Sequence, residues 1–455
     1  MNPPIELHKG LKQRHVTMIA LGGAIGAGLF IGSGTLIKTT GPAAFVTSAL
    51  TGAIIVLVMR MLAEMAVARP STGSFADYAR DAVGDWAGFS VGWLYWYFWV
   101  IVVGFEAVVG GQIINGWLPG IPVWAIALGL LLLMTLLNLM SVESFGEAEY
   151  WFAGVKIFAI VAFLVVTGSY VFGFWSNSTA SLSHLTAHGG FFPHGVSTLF
   201  TSVVVVIFSM TGVEVATIAA AESAEPDRNI RRAVNTVIVR ILIFFVLSTF
   251  LIVVAQPWTE VVPGKSPFVL TLDKIGIPGS GTILTVVILV AVLSVLNAGL
   301  YTSSRLLFVL AKNNEAPAWI TRLNRRGAPA WGVVASTLVG YGCVVIAAVW
   351  PDTVFLFLIN SSGAVFLFVY LMICLSQMKL RSHWEREGLL KFKMWGHPWL
   401  PMLVTAIILA VLVSMAIDPE TRMSLLQSLG ALAVILATYP LLGIQRRAPR
   451  LTSRA

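Results

Sequence analysis

Charged residues are scarce in this chain. Only 11% of its 455 residues are Asp, Glu, Lys or Arg, whereas a soluble domain usually has about a quarter. So few charges could not cover the surface of a water-soluble fold of this size. Apolar residues make up 57% of the sequence, which also excludes an intrinsically disordered chain. The composition therefore indicates a membrane protein.

Cysteine is nearly absent, and the motifs of several enzyme classes are missing. Cys343 and Cys374 both lie in apolar stretches, so neither a disulfide framework nor a cysteine metal site is indicated. The sequence has no phosphate-binding loop, no nucleophile–histidine–acid pattern and no cofactor motif. His184, His188 and His194 share one loop, but their spacing matches no standard metal site. We therefore expect no enzyme, no cofactor and no metal.

Long apolar runs are abundant, and each can be compared with the thickness of a bilayer. A helix needs roughly 20 apolar residues to cross the hydrocarbon core. Runs of this kind, separated by charged residues, proline or glycine, predict an all-α protein with about twelve spans. They lie near residues 17–37, 42–65, 88–115, 122–140, 150–174, 197–220, 236–256, 280–311, 331–350, 353–378, 398–416 and 424–444.

The basic residues predict the orientation of these spans. Lys and Arg accumulate in the cytoplasmic loops of membrane proteins. If the N-terminus is cytoplasmic, most of the 29 basic residues, Arg240 among them, fall on the cytoplasmic side. We therefore expect both termini to be cytoplasmic and the protein to lie in the cytoplasmic membrane. The net charge of +8 then reports orientation, and no nucleic-acid partner is expected.

Two predicted spans are unusual for helices that face lipid. The first contains six glycines between residues 21 and 34, and the sixth contains FSMTGVE at 208–214, a glycine beside polar residues. One interpretation is close helix packing through small residues. The other is an unwound backbone that lines a binding cavity. Interrupted helices that open two five-helix halves are typical of inverted-repeat transporters, in which the substrate binds near the bilayer midplane.

Longer segments resemble one protein family almost from end to end. They are similar, in order and spacing, to those of bacterial amino acid permeases of the amino acid-polyamine-organocation superfamily. These segments are GGAIGAGLFIG at 22–32, RPSTGSFADYA at 69–79, FGEAEYWFAGVKIFAI at 145–160, FSMTGVEVATIAAAE at 208–222 and LNAGLYTSSRLLFVLAKNNEAPA at 296–318.

The resemblance implies a LeuT-type fold, in which five helices are followed by their inverted copy and by two more helices. Helices 1 and 6 are then the interrupted ones. The implied function is secondary active import of an amino acid, coupled to protons. The implied regions are a cytoplasmic tail at 1–16, the first repeat at 17–196, the inverted repeat at 197–378, the last two helices at 379–445 and a cytoplasmic tail at 446–455.

Four short segments are most similar to 4-aminobutyrate permeases: RMLAEMA at 60–66, GWLYW at 92–96, TIAAAES at 217–223 and SSGA at 361–364. One position departs from that pattern. Those permeases have Ala-Ser where this chain has Ala27-Gly28, and the glycine form is commoner in permeases for aromatic and other α-amino acids. The first substrate hypothesis is 4-aminobutyrate, and proline or an aromatic amino acid is the alternative. A channel or a transporter-like receptor is the rival from another class.

The two interrupted spans supply the expected substrate-binding groups. Backbone N–H groups near Gly26, Ala27 and Gly28 form the positive end of a half-helix, which suits a carboxylate. The resemblance also places the substrate carboxylate there. Carbonyl groups freed near Ala24 and in the sixth span would then face the ammonium. The sixth span contributes Phe208 as a lid, together with Ser209, Met210 and Thr211.

Ionisable residues within spans are costly, and each needs an explanation. Glu106, in the third span, could bind the substrate amine or pair with a neighbouring helix. Glu214 could contact the substrate or stabilise the unwound backbone. Lys156, in the fifth span, is the candidate proton carrier. The resemblance places it between spans one and eight, where sodium-driven relatives hold a cation; the alternative is a permanently charged lysine bonded to freed carbonyls.

The eighth span has a polar face. Ser294, Asn297, Tyr301 and Ser304 recur at intervals of three, four and three residues, which places them on one side of a helix. The resemblance locates this helix at the coupling-cation position, so the face is a candidate cation site. Structural hydrogen bonding to a neighbouring helix is the alternative.

Overall fold

The computed structural model describes residues 11–23, 25–221, 223, 225–349 and 364–440, and this part of the chain is all-α. Ten of its helical segments are long and apolar enough to cross a membrane. The protein is therefore a multi-pass membrane protein. Large apolar side chains on the outside of the bundle, such as Phe158 and Val165, are mostly exposed, as expected for a surface that contacts lipid.

A broken helix opens the first half of the chain. α1 (Gln13–Gly22) ends among glycines, and helical structure resumes as a π-helical turn (Gly28–Gly32) that continues into α2 (Ser33–Thr40). A 3₁₀ turn (Gly41–Ala43) leads into α3 (Ala44–Ala68). The helical run from the π turn to the end of α3 has 41 residues, or about 60 Å at 1.5 Å per residue. That length is enough to cross the bilayer twice.

The first half continues with one short helix and three long ones. α4 is short and amphipathic, with apolar side chains buried on one face. The other three are strongly apolar, and α5 is buried along most of its length. The bounds are α4 (Ser74–Val83), α5 (Asp85–Trp117), α6 (Val123–Met140) and α7 (Val142–Val171).

A second broken helix opens the second half. Its pieces are α8 (Thr198–Thr201), α9 (Val203–Ser209) and α10 (Val215–Ala221). α11 (Pro226–Arg240) then continues through a π-helical stretch (Ile241–Leu247) into α12 (Ser248–Ala255). The remaining helices are α13 (Pro267–Ile275), α14 (Ser280–Lys312), α15 (Ala330–Val349), α16 (Val365–Arg386), α17 (Trp399–Ile417) and α18 (Pro419–Thr438).

Most predicted spans match these helices within a few residues, but three helices extend further than predicted. α7 begins at Val142 instead of near residue 150, because the polar motif before the apolar run is itself helical. α11 begins at Pro226 instead of near residue 236, and Arg240 is buried within the helix, so its expected place in a cytoplasmic loop was wrong. α16 continues to Arg386, beyond the predicted end at 378, and the predicted start near 353 lies outside the described residues. Hydropathy reports the apolar part of a helix, whereas backbone hydrogen bonding continues through polar residues.

α5 and α14 pack side by side at the centre of the bundle. Small residues permit the close approach: a Cβ added at Gly299 would lie 2.8 Å from Val103 Cγ2. α15 also packs closely on α5, since a Cβ at Gly104 would lie 2.7 Å from Cys343 Cβ of α15. The two long helices therefore form a fixed wall for the site between them and the broken helices.

A polar cluster joins α4 to the loop that follows α14. Arg80 Nη2 donates to both carboxylate oxygens of Glu315, at 2.8 and 2.6 Å, and Nη1 donates to Asp77 at 2.7 Å. Burial raises the pKa of Glu315 to about 7, even though the Arg80 charge opposes that shift. Burial would lower the pKa of Arg80, but the neighbouring Glu315, Asp77 and Asp85 carboxylates together outweigh it and the pKa is raised. The pair braces this surface of the bundle.

We expect Arg80→Ala to destabilise the protein, because it leaves Glu315 buried without its cation. Removing one partner of a buried ion pair costs about 3 kcal/mol or more. The apparent melting temperature of the purified protein in detergent at pH 8 should fall by several degrees. Arg80→Ala combined with Glu315→Gln should recover part of the loss, since no unpaired charge remains. Equal melting temperatures for the wild type and Arg80→Ala would show that the pair does not brace the bundle.

Candidate functional site

The two broken helices meet at the centre of the bundle. A Cβ at Gly28 would lie 2.7 Å from Ser209 Cα, and a Cβ at Gly23 would lie 2.8 Å from the Gly212 carbonyl oxygen. Gly212 itself has a φ of 101°, which favours glycine. The glycines therefore agree with both interpretations of the sequence. They interrupt the helices, and they also allow the two breaks to pack in direct contact.

A small closed cavity lies where the breaks meet α5 and α14. Its volume is about 20 Å³, which is room for about one water molecule. Its walls must therefore move apart before an amino acid can enter. The wall includes six predicted site residues: Gly26, Gly28, Glu106, Phe208, Ser209 and Thr211.

Four other wall residues were missed by the sequence analysis: Phe98, Trp99, Val102 and Val295. Phe98 and Val102 precede Glu106 at intervals of four residues, so the helical period places all three on one face of α5. That spacing was a usable signal once Glu106 had been singled out. No comparable signal pointed to Val295, because it lies beside the polar face of α14 and not on it.

Glu106 presents an acceptor without a protein partner to this cavity. Its side chain is buried, and Oε2 has no hydrogen-bond partner in the described part of the chain. The same carboxylate accepts a hydrogen bond from the backbone N–H of Ala27 and interacts electrostatically with Lys156. A buried acceptor left without a partner costs about 1–3 kcal/mol, so a ligand that donates to it would be favoured.

Aromatic side chains close one side of the cavity. The Phe208 ring packs edge-to-face against Phe98 and Phe105, with ring centroids 6.3 and 5.9 Å apart. The hydroxyls of Ser209 and Thr211 donate to carbonyl groups one turn earlier in their own helix, at 2.8 and 3.1 Å. Their hydroxyl protons are therefore already used, and each hydroxyl oxygen can still accept a hydrogen bond.

The other predicted substrate-binding residues do not belong to the wall described for this cavity. Both carboxylate oxygens of Glu214 accept the Gly212 N–H at 3.2 Å, and Oε1 also accepts the Tyr95 hydroxyl at 2.9 Å. Glu214 thus caps the break in the second helix and ties it to α5. Ala27 and Met210 are buried beside the wall. Ala24 lies outside the described residues.

Lys156 lies between the first broken helix and α14. Its side chain is fully buried, and Nζ donates to the Gly22 carbonyl at 2.8 Å and to Ser294 Oγ at 2.7 Å. The Gly22 carbonyl belongs to the last turn of α1, just before the break. This is the location that the family resemblance implies, and the contacts are compatible with both roles considered for this lysine.

The polar face of α14 lies along α7. Ser294 and Asn297 contact Glu149 of α7, which is buried, and the Tyr301 ring stacks on Phe145 with centroids 3.9 Å apart. Ser304 Oγ donates to the Tyr301 carbonyl within α14 at 2.9 Å. Glu149 was not predicted as a site residue, because the predicted span began at residue 150. The spacing of seven residues to Lys156, two helical turns, was the signal that could have found it.

The three loop histidines do not form a joint site. His184 Nδ1 lies 2.9 Å from the Val254 carbonyl oxygen, Trp258 donates to the His188 carbonyl, and the His194 ring packs edge-to-face on Trp258. Among the residues that the structure describes, no group of three or more His, Cys, Asp or Glu could hold a metal ion.

Two interrupted helices around a closed, partly polar cavity in an apolar bundle are the features of a membrane transporter. The chain belongs to the amino acid permease family, whose sequence model matches residues 15–445. It is 47% identical to the gamma-aminobutyric acid permease of Bacillus subtilis (strain 168), over 95% of this chain and 93% of that protein.

Two further relatives are similar over nearly the whole length. The chain is 44% identical to a probable GABA permease of Pseudomonas aeruginosa, over 98% of this chain and 94% of that protein. It is 43% identical to the gamma-aminobutyric acid permease of Escherichia coli (strain K12), over 96% and 95% of the two chains. The prediction of an amino acid permease, a transporter and not an enzyme, is confirmed.

Proposed function

We propose that the protein is a secondary active importer of 4-aminobutyrate that is driven by protons. The observation that carries the substrate is the shared sequence: three relatives named for this substrate are 43–47% identical over at least 93% of their length. 4-Aminobutyrate has a carboxylate and an ammonium, and both must be matched by polar groups when water is removed. The cavity offers groups of both kinds.

The proposed fold has twelve spans, with a first repeat at 17–196, an inverted repeat at 197–378 and two further helices at 379–445. Ten candidate spans in the described residues support this number, because one of them is long enough to cross twice and the broken helix α8–α10 adds another. The position of the two breaks, each opening one half, supports the repeat.

In the proposed site, the substrate carboxylate binds backbone N–H groups near Gly26 and Gly28, at the start of the second piece of the first broken helix. The ammonium binds Glu106 at the cavity wall, where Oε2 has no hydrogen-bond partner among the described residues. Phe208 covers the substrate. Glu214 holds the second break in shape through its bonds to Gly212 and Tyr95 and has no contact with the substrate.

Lys156 is the proposed proton carrier. When protonated it ties α7 to the end of α1 and to α14 through its bonds to Gly22 and Ser294. Deprotonation removes the charge that strengthens both bonds, so it weakens the contact of α7 with the broken helix. A local charge change of this kind can bias the inward-facing and outward-facing states differently.

The proposed location is the cytoplasmic membrane, with both termini in the cytoplasm. We expect single cysteines at His188 and Lys265 to react with an impermeant thiol reagent added to intact cells. Cysteines at Arg228 and Arg325 should react only after the cells are opened. All four positions are exposed, and the background lacks both native cysteines. Labelling of position 228 from outside would overturn the orientation and the inverted repeat with it.

The substrate is tested by uptake of labelled 4-aminobutyrate in a transport-deficient host, with unlabelled amino acids as competitors. We expect saturable uptake that 4-aminobutyrate inhibits at about tenfold lower concentration than proline or phenylalanine, which corresponds to about 1.4 kcal/mol of binding preference. Stronger competition by an α-amino acid would contradict the proposed substrate. An α-amino acid is the first alternative, because glycine at position 28 is commoner in permeases for such substrates. Flux that rises linearly without saturation would indicate a channel.

A further inference from the structure

We propose that Glu149 is the group that receives the proton from Lys156 and passes it toward the cytoplasm. The proposal rests on the proposed proton coupling at Lys156 and adds the next residue to it. Its basis is a row of three buried groups between α7 and α14, each hydrogen-bonded to the next. They are the Lys156 ammonium, the Ser294 hydroxyl and the Glu149 carboxylate.

The lysine and the carboxylate are both closed off from water. The side chains of Lys156 and Glu149 are 0% and 1% exposed, and Nζ lies 3.8 Å from Oε1. Nζ donates to Ser294 Oγ at 2.7 Å, and the Ser294 hydroxyl donates to Glu149 Oε1. A proton can therefore move from the amine to the carboxylate through one hydroxyl group, with no water molecule required.

Neutral groups orient the rest of the Glu149 carboxylate. Asn297 Nδ2 lies 3.4 Å from Oε2, and the Asn297 side-chain oxygen accepts from Asn138 Nδ2 at 2.8 Å. These contacts join α6, α7 and α14. Because the amides supply no charge, Lys156 is the cation that balances Glu149 among the described contacts of this carboxylate.

The positions along α7 give the transfer a direction. Glu149 precedes Lys156 by two helical turns, about 10 Å along the axis, on the side of Val142, where α7 begins. In the proposed orientation that end is cytoplasmic. Lys156 interacts electrostatically with two carboxylates. They are Glu106, at the cavity, and Glu149, nearer the start of α7.

One further titratable group near this pair is Glu106 of α5, whose charge acts on Lys156. Others lie nearer the start of α7. From α1, His15 packs against Gly146, and its Nε2 lies 3.1 Å from Glu147 Oε2, which is half-exposed. α14 presents the Tyr301 ring, with the Arg305 guanidinium 3.6 Å from its centroid. The facing groups of α6 and α14 nearest to Glu149 are the neutral Asn138, Ser294 and Asn297.

In the transfer step, one Nζ–H bond of the Lys156 ammonium breaks as a new O–H bond forms on Ser294. The original Ser294 O–H bond breaks as an O–H bond forms on Glu149. Two opposite charges become two neutral groups, so no net charge is created in the low-dielectric interior. At the same time, the hydrogen bonds of Lys156 with Gly22 and Ser294 lose the strength that the positive charge gave them. Release of the proton from Glu149 to the cytoplasm then leaves the site ready to be recharged.

The test is Glu149→Gln in proteoliposomes, because glutamine keeps the shape and one acceptor oxygen but cannot carry the proton. We expect uptake driven by an inward proton gradient to fall about 100-fold, the scale of general acid–base contributions, and to lose its pH dependence. Exchange of labelled for unlabelled substrate, which needs no net proton movement, should continue. Glu149→Asp should restore gradient-driven uptake, and Glu147→Gln on the same helix is the matched control that should behave as the wild type.

The outcomes separate this inference from the function on which it rests. Wild-type uptake that ignores the proton gradient would refute the coupling itself. Proton-driven wild-type uptake with an unchanged pH profile in Glu149→Gln would refute only the role of Glu149. Loss of exchange as well, in a variant that reaches the membrane, would assign Glu149 a structural role and also overturn the inference.

Ser294→Ala keeps the test decisive if Glu149→Gln does not fold. It preserves both charges and removes only the bridging hydroxyl. Loss of a hydrogen bond to a charged group corresponds to about a tenfold effect, so gradient-driven uptake should slow by about tenfold while exchange is unchanged. Equal slowing of both would show that the hydroxyl has no part in proton transfer.

Discussion

Replacement of Lys156 by glutamine is expected to uncouple transport from the proton gradient. In proteoliposomes without sodium, the inward proton gradient should accelerate wild-type uptake, whereas Lys156→Gln should show no acceleration and should keep some substrate exchange. The expected loss of gradient-driven uptake is about 100-fold, since glutamine can neither gain nor lose a proton at this site. The buried position of Lys156, bonded to Gly22 and Ser294, is the physical reason.

A loss of uptake alone would not separate a proton carrier from a permanently charged structural lysine, because both interpretations predict damage. The gradient dependence does separate them. Lys379→Gln is the matched control, because Lys379 is an exposed lysine on α16 and its replacement should change nothing. Intact proton dependence in a folded Lys156→Gln protein, or wild-type accumulation that requires sodium, would refute the assigned role.

The second large effect is expected for Gly28→Leu, which should abolish uptake without removing the protein from the membrane. The new Cβ would lie 2.7 Å from Ser209 Cα, and a backbone atom cannot rotate away. The two breaks would be forced apart, and the rest of the leucine would enter a cavity of about 20 Å³. Both effects remove the place where the substrate carboxylate is proposed to bind.

Immunoblots of the membrane fraction and equilibrium binding of labelled substrate to the purified protein provide the measurement. Gly342→Leu is the matched control, since a Cβ at that exposed position of α15 meets no atom within 4 Å. It should bind and transport like the wild type. Unchanged substrate affinity in Gly28→Leu would show that the carboxylate binds elsewhere.

The main features of the fold could be predicted because they depend on local sequence. Apolar runs of bilayer length located the spans, and α14 (Ser280–Lys312) matches its prediction at 280–311 closely. Glycine-rich and polar segments located the two interruptions. Glycine, which has no side chain, and polar residues weaken a membrane helix wherever they occur. The family motifs then led to the correct family.

The parts of the site that could not be predicted depend on which faces meet. The spacing on α14 showed that Ser294 and Asn297 share a face, but not that this face lies along α7 instead of the cavity. Glu149 and Arg240 were misplaced because hydropathy does not mark where a polar helix begins. The contact of Gly28 with Ser209 joins two distant segments, and no single-chain pattern encodes such a pair.

The expected roles of Glu106 and Glu214 show the same limit. Both are buried acids beside glycine, and the sequence left two alternatives open for each. The structure puts Glu106 at the cavity wall, with one oxygen that no group in the described part of the chain donates to. Glu214 instead accepts from Gly212 and Tyr95. The difference arises from the partners that the tertiary structure supplies, because a buried carboxylate is available to a ligand only where the protein has not already satisfied it.

The most direct test of the central claim is accumulation of labelled 4-aminobutyrate by the purified wild-type protein in sodium-free proteoliposomes with an inward proton gradient. The account predicts accumulation above the external concentration, and a protonophore should collapse it to equilibrium. Simple equilibration that the gradient does not change, or accumulation only when sodium is added, would contradict a proton-driven importer of 4-aminobutyrate.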